Sequence, residues 1–399
     1  MAGHPTTSSK NLLKRKLLED CPPNGNISSD ASGDCPPNKR KLSGNIPLLA
    51  YLELTPACNN RCPGCLNESF VADFQTRSLK PEFQLAPLPL AKWQEVLSRL
   101  PSTITSLSIS GGEPTLHPAF EEIVTELNER GLDFVIFTNA RWRTPDRLIN
   151  LLKELDHFQG FLISLHGAHA EVHDGFTGIT SSFDETVKNI RRATSSGLTV
   201  GISTVITCSN FAETNDIAQL AEKLGASKVT FNRYINAPHR IEALGPKALP
   251  PTPQQLRKAV MQIEAMKLQM PEQIQIGYGP CIPQCFISSS SEGCAAGEIS
   301  FVVDPWGNVK PCLHTDLLCG NLLHQSFDSI WNSISLQQWR GLLDNECSTC
   351  SALAQCGGGC RAMNLAWGQG RDPLMREAVN TSSELFQIES VVPFSVIAS

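Results

Sequence analysis

The chain has 399 residues, 41% of them hydrophobic, and carries 33 basic against 39 acidic side chains for a formal net charge of -6 at neutral pH. That length supports one large hydrophobic core or two smaller ones, and the acidic balance gives no general attraction to nucleic acid or anionic lipid. No stretch reaches the roughly 18 consecutive apolar residues of a membrane helix, and the polar N-terminus lacks the apolar core of a secretory signal. The expectation is a cytoplasmic protein with neither a membrane nor a nucleic-acid partner.

Residues 1–45 are rich in Ser, Pro, Asn and Lys and contain a short repeat, Asp20-Cys21-Pro22-Pro23-Asn24 and Asp34-Cys35-Pro36-Pro37-Asn38. This composition predicts a disordered tail. From 46 to 272 apolar runs alternate with amphipathic segments. Strands are expected at 49–54, 104–110, 133–138, 160–165, 199–206 and 228–232, with helical patterns such as 120–130, 183–195 and 212–224 between them. Repeated strand–helix units make a parallel α/β fold, here a partial (β/α)6 TIM-like barrel. In such barrels functional residues sit at the C-terminal ends of strands. Residues 273–370 shift to glycine, cysteine and short strand-like pieces and form a small Cys-rich α+β domain whose stability depends on metal. Residues 371–399 read as a C-terminal tail.

The 15 cysteines are not scattered: Cys58, Cys62 and Cys65 fall within eight residues, nine lie beyond residue 280, and only Cys21, Cys35 and Cys208 stand apart. Disulfides do not persist in a reducing compartment, so tight clustering points to metal. In Cys58-Asn59-Asn60-Arg61-Cys62-Pro63-Gly64-Cys65 three thiols share the loop that follows the first strand. A cubane takes one thiolate on each of four irons, so three protein thiolates leave one iron open to an exogenous ligand. The alternative is a zinc knuckle completed by a distant fourth residue.

After the second strand comes Gly111-Gly112-Glu113-Pro114, whose glycines let the backbone approach a ligand closely. The two motifs, in this order and each at a strand end, resemble the radical S-adenosylmethionine (SAM) superfamily. The resemblance spans about residues 48–235 and extends to Thr138-Asn139-Ala140, Ser164-Leu165-His166-Gly167 and Arg233. It implies a 4Fe-4S cluster on Cys58, Cys62 and Cys65 whose open iron binds SAM. It also implies SAM contacts from Gly111, Gly112, Glu113, Pro114, Asn139, Ser164 and Arg233, with the glycine segment near the methionyl amino group and Ser164 at the ribose. Two positions depart from the family: Gly64 stands where an aromatic residue is frequent, and Ala140 where glycine is frequent. His166, His169 and His173 crowd the loop after the fourth strand and read as loop-packing histidines, with His166 a candidate for proton transfer. No catalytic base is assigned.

Further on, Cys294, Gly307 and Cys312 are followed by Cys347-x2-Cys350-x5-Cys356-x3-Cys360. With Asp304-Pro305-Trp306-Gly307-Asn308 and Gly357-Gly358-Gly359-Cys360-Arg361, this resembles the SPASM extension of radical SAM peptide maturases. A zinc ribbon is the alternative. The resemblance implies one or two auxiliary iron–sulfur clusters. By it, Cys347, Cys350 and Cys356 share one cluster and Cys294, Cys312 and Cys360 serve another. The family pattern ends in a further cysteine, but residues 361–399 contain none and Asp372-Pro373-Leu374 stands in that region. Cys281, Cys285 and Cys319 are candidate replacements, and Cys319 is counted among the expected ligands.

The reaction implied by the resemblance is reductive cleavage of SAM to methionine and a 5'-deoxyadenosyl radical that abstracts a substrate hydrogen. The expected substrate is a ribosomally made peptide or a protein side chain. An electron donor such as flavodoxin or ferredoxin, and a separate peptide-recognition protein, are the expected partners. Biosynthesis of a small cofactor such as a tetrapyrrole is the alternative substrate class, and a non-catalytic iron–sulfur or zinc scaffold is the alternative of another kind.

Overall fold

The computed structural model describes residues 45–63, 65, 71–73, 78–79, 86–235, 241, 245, 249–269, 274–279, 281–287, 293–367 and 372–378. The tail expected at 1–45 lies outside the described residues except for Asn45, as do Gly64 and residues 379–399.

The sheet is built outward from β1 (Leu49–Glu53). On one side β1 pairs in parallel with β4 (Ser106–Ser110), and β5 (Phe134–Thr138), β6 (Phe158–Ser164), β7 (Val200–Ile206), β8 (Lys228–Arg233) and β9 (Gln275–Tyr278) follow in chain order, each parallel to the last. On the other side β1 pairs in parallel with β10 (Ser300–Val303), which continues antiparallel into β11 (Asn308–Lys310) and β12 (Gly320–Asn321). Ten strands thus form one sheet, and a separate hairpin of β2 (Val71–Asp73) and β3 (Ser78–Leu79) follows the first cysteine loop. The six strands expected from the sequence are all present in the expected order. β9 and the attachment of β10 to β1 were not anticipated. β9 has only four residues, and nothing local in β10 announces a partner more than 240 residues upstream.

Side chains alternate across a strand with period two, and the two faces differ sharply. Leu52, Leu107, Ile109, Phe134, Ile136, Ile163, Ile202, Val229 and Phe231 are fully buried. They meet the apolar stripes of α1 (Leu90–Ser98), α2 (Phe120–Glu129), α3 (Pro145–Lys153), α5 (Ser182–Ser195), α6 (Thr214–Lys223) and α7 (Pro253–Gln269) in one core, to which α4 (Ala170–Thr177) adds no residue. In α2 that stripe is Phe120, Ile123, Val124 and Leu127, the three-and-four spacing of an amphipathic helix. The other strand face is only half-buried and largely polar, with Tyr51, Ser108, Ser110, Ser164, Ser203, Thr230 and Asn232 set beside the apolar Val135, Phe137, Leu162 and Val205. Apolar groups mixed with a few polar ones are the usual lining of a ligand site.

The β10–β11 hairpin turns over Asp304-Pro305-Trp306-Gly307. The Asp304 carboxylate accepts from the backbone N–H groups of Trp306 and Asn308, each at 2.9 Å, and Gly307 supplies φ +85°. Beyond it, the helices Phe327–Trp331 and Ile334–Arg340 are capped by the hydroxyls of Ser326 and Ser333. Fully buried Trp339 closes a second apolar cluster around Cys294 and Cys360, its indole N–H donating to the Ala296 carbonyl at 2.9 Å. Between β1 and β11 runs an ion pair sealed from water, Lys310 Nζ to Glu53 Oε2 at 2.9 Å, with side chains 1% and 0% exposed. Burial pushes the Glu53 carboxyl up, the ammonium opposes that shift, and nearby Asp304 adds to it.

Removing one partner of such a pair strands the other, at a cost of about 3–5 kcal/mol, whereas replacing both by apolar residues is close to neutral. Lys310→Met alone is therefore expected to lower the urea midpoint strongly, and Glu53→Leu with Lys310→Met to recover most of the loss. Equal destabilisation by the single and the double variant would contradict this.

Candidate active site

The three-thiol loop is held by the strand end beside it. Gly112 N–H donates to the Thr55 carbonyl at 2.7 Å and Glu113 N–H to the Ala57 carbonyl at 2.8 Å. A Cβ at Gly111 would stand 2.6 Å from the Thr55 oxygen, and one at Gly112 would stand 2.2 Å from the Ala57 oxygen. Only glycine allows the two segments this approach.

Glu113 faces away from solvent. Its carboxylate accepts from Thr115 Oγ1 at 2.6 Å, Thr138 Oγ1 at 2.9 Å and the Asn139 N–H at 2.9 Å, fastening the loops after β4 and β5 together. Burial raises its pKa and these bonds oppose the rise. Pro114, also expected as a contact, is buried and opens the single turn Pro114–Leu116 that Glu113 caps. Asn139 reaches the cluster loop directly, with Nδ2 donating to Asn59 Oδ1 at 2.7 Å and standing 3.8 Å from Cys58 Sγ. Arg141 completes the brace, its Nη1 donating to the Asn59 carbonyl at 2.6 Å and to Asn60 Oδ1 at 2.9 Å. Neither Asn59 nor Arg141 was singled out in the sequence. The signal was there, in polar residues between cluster thiols and just after a strand end.

Ala140 has φ +58°, a left-handed conformation that explains why glycine suits this position and that costs a residue with a Cβ about 1–2 kcal/mol. Asn189 Nδ2, donating to the Ala140 carbonyl at 2.7 Å, holds it there.

Ser164 ends β6, half-buried on the polar face and in register with Ser203. The histidines behind it are packing residues. His166 Nδ1 accepts from the Val205 N–H at 3.2 Å, His173 Nδ1 accepts from the His166 N–H at 3.1 Å, and His169 is exposed. Burial lowers His173 from 6.5 to about 4 and His166 well below its ordinary value.

Arg233, expected at SAM, points toward the second cysteine region. Its guanidinium is 4% exposed and grips both oxygens of Asp372 at 2.6 and 2.7 Å, with a further bond to the Cys281 carbonyl at 2.9 Å. Asp372 also accepts from the Cys360 N–H at 2.9 Å.

The C-terminal thiols fall into two groups. Cys281 lies against Cys294 and Cys360, and Cys312 is close enough to Cys294 and Cys360 for their charges to act on it. This mutual crowding and burial push Cys281 and Cys312 up. Tyr51 of β1, raised first by burial, lies within electrostatic range of Cys312, Cys294 and Cys281, which places this group on the side of the polar strand face. In the other group Cys356 and Cys350 act on both Cys285 and Cys347, and Cys347 is pushed up to about 11, first by burial. Cys319, counted among the ligands from sequence, stands apart from both. It is 7% exposed in the main apolar core beside β12, raised to about 11 by burial, with Arg340 as the charge acting on it. Its apolar setting, not a thiol group, accounts for its place.

Among the described residues no three His, Cys, Asp or Glu side chains converge on one point. A cubane asks for no such convergence, because each thiolate binds its own iron. A three-thiol loop cradled by glycines and two further thiol groups fit iron–sulfur clusters in ligand softness and number.

Two family models match in the order the geometry demands: the radical SAM superfamily over residues 52–224 and the SPASM iron–sulfur cluster-binding domain over 294–356. The chain is a radical SAM protein with a SPASM domain. Its cofactors are a 4Fe-4S cluster, SAM and auxiliary iron–sulfur clusters. This radical SAM protein is 29% identical over 364 residues to the mycofactocin maturase MftC of Mycobacterium tuberculosis, covering 85% of each chain. It is also 29% identical over 291 residues to the antilisterial bacteriocin subtilosin biosynthesis protein AlbA of Bacillus subtilis, covering 72% of this chain and 60% of that one. In fold it is similar to Streptococcus suis SuiB bound to the precursor peptide SuiA, with TM-score 0.67, 17% identity, and coverage of 92% and 87% of the two chains.

Two outcomes follow for the radical SAM enzyme. Gly112→Ala must displace the cluster loop, and a misplacement of about 1 Å costs on the order of 100-fold in rate, so SAM cleavage should fall by about that factor while auxiliary iron is retained. Separately, the unfolded chain takes up the His166 and His173 protons near pH 6.5 and the folded chain does not, so their stabilising contribution is complete at neutral pH and is lost as pH falls from 6.5 toward 4. The urea midpoint should drop across that window, and His173→Asn, which keeps an acceptor for His166, should flatten the slope.

Proposed function

We propose that this protein is a peptide maturase, with Cys58, Cys62 and Cys65 holding the SAM-cleaving cluster and the polar strand face receiving a ribosomally made peptide. The observation that carries this reading is the position of β1. Its C-terminal end leads into the three-thiol loop, while Tyr51 on the same strand lies within electrostatic range of Cys312, Cys294 and Cys281. A substrate on that face lies between a site of radical generation and an auxiliary site able to take up an electron. The relatives' names support the choice of substrate class, since one is a maturase and another a bacteriocin biosynthesis protein.

When bound, the cluster supplies the electron that splits SAM into methionine and a 5'-deoxyadenosyl radical, which takes a hydrogen from the substrate. The chain's own residues position and exclude. Gly111 and Gly112 bring the strand end against the cluster loop, Asn139 and Arg141 brace that loop, and Ser164, with Ser203 and Asn232 beside it, offers hydroxyl and amide groups to the ribose. Asn232 Nδ2 donates to Ser203 Oγ at 2.9 Å, fixing that pair. The fully buried helix face keeps water from the other side of the sheet. A flavodoxin or ferredoxin delivers the electron, and a separate recognition protein presents the peptide.

The test is anaerobic. Protein reconstituted with iron and sulfide, reduced and given SAM should yield 5'-deoxyadenosine, and a variant with Cys58, Cys62 and Cys65 all changed to Ala should not. A short peptide encoded beside the gene should change mass only with the wild type. Bound zinc with no SAM binding would overturn the catalytic reading, and turnover of a tetrapyrrole with no peptide product would overturn the substrate class.

A further inference from the structure

We infer that one short segment, residues 281–287, closes both auxiliary cluster sites, with Cys281 completing the Cys294–Cys312–Cys360 set and Cys285 supplying the fourth thiolate to Cys347, Cys350 and Cys356. This rests on the iron–sulfur reading of the cysteines and is independent of SAM cleavage and of the substrate.

The segment is pinned for this purpose. Ile282 and Phe286 are 4% and 3% exposed in the main core, and the Arg257 guanidinium lies 4.3 Å over the Phe286 ring. The N–H groups of Phe286 and Ile287 both donate to the Pro283 carbonyl, at 2.9 and 3.2 Å, making a tight turn. Between and beside these anchors the two cysteines project to different thiol groups. Cys281 has φ +89°, a conformation that residues with a Cβ rarely adopt. Such strain persists only where surrounding structure fixes it, and it clusters at functional positions. Here Arg233 Nη1 holds the Cys281 carbonyl at 2.9 Å, and the thiol is set against Cys294 and Cys360.

Cys285 lies one residue beyond Gln284, whose N–H donates to Cys356 Sγ at 3.4 Å. A second strap holds the same neighbourhood: the Gly293 N–H donates to the Gln355 carbonyl at 3.0 Å, and a Cβ at Gly293 would stand 2.1 Å from the Cys356 oxygen. Meanwhile the region where the SPASM pattern takes its last cysteine is occupied by Asp372, a fully buried carboxylate already engaged by Arg233 and the Cys360 N–H. That position therefore braces the sites, and the missing thiolate comes from upstream. Cys319, deep in apolar core, is excluded from both sets.

The experiment uses the cluster-loaded full chain under anaerobic conditions. Cys285 and Cys350 are exposed, and Cys208 is a partly exposed thiol outside every group, so iodoacetamide discriminates. In the loaded protein Cys208 should be alkylated and Cys285 and Cys350 protected. After iron is removed with a chelator, all three should be labelled. Alkylation of Cys285 alongside Cys208 in the loaded protein overturns the assignment. A second measurement starts from the Cys58, Cys62 and Cys65 to Ala background, expected to hold two cubanes, about eight irons per chain. Adding Cys281→Ala or Cys285→Ala should lower the iron or single out one iron in the Mössbauer spectrum, and adding Cys319→Ala should change neither. Unchanged iron and spectrum in Cys285→Ala would overturn the proposal. Protein that passes both tests but never cleaves SAM would defeat the proposed reaction alone.

Discussion

Strand β1 is hydrogen-bonded along both edges, to β4 on one side and β10 on the other, and both pairings are parallel. A strand paired this way cannot shift register without moving two neighbours, and a one-residue slip would turn its core face to the ligand face. Two functions therefore share one fixed frame. The loop that leaves β1 carries the three thiols proposed for the SAM site, and β10 leads through its hairpin to Lys310 and then Cys312. The sealed Glu53–Lys310 ion pair crosses the same junction. Barrel and cysteine-rich region are thus two parts of one sheet.

A second brace works at the opposite end of the parallel run. Arg233 ends β8 and binds Asp372, and these two residues between them hold the Cys281 carbonyl and the Cys360 N–H. A buried pair of this kind contributes little net stability against a well-packed apolar substitute, but it fixes geometry strictly, because either charge left alone is costly. Its value here is positional: Cys281 and Cys360, from distant chain segments, are set against each other.

Much of this was legible in the sequence, because the signals were local. The six core strands, the three-thiol loop and the glycine segment each depend on neighbours within a few residues, through alternation, thiol spacing and the absence of a Cβ. What could not be read depends on long-range placement. Arg233 looked like a ligand contact because it ends a strand at the functional rim, and only the fold reveals Asp372 within its reach. Cys319 looked like a ligand because it sits among cysteines in the chain, yet its side chain packs into apolar core. Cys281 and Cys285 carry no distinguishing spacing; their assignment needs the turn that sends them to different groups. His166, read as a loop-packing histidine and a candidate for proton transfer, uses its Nδ1 to accept from the Val205 N–H.

In the proposed arrangement one sheet carries a SAM cluster at the end of β1 and two four-thiolate clusters on the segments that extend from it. The most direct measurement is an iron anomalous difference map from crystals of the anaerobically loaded protein. Iron should appear at Cys58, Cys62 and Cys65, at a second site bounded by Cys281, Cys294, Cys312 and Cys360, and at a third bounded by Cys285, Cys347, Cys350 and Cys356. Iron bonded to Cys319, or an auxiliary site in which Asp372 or no side chain stands where Cys285 is assigned, would contradict it.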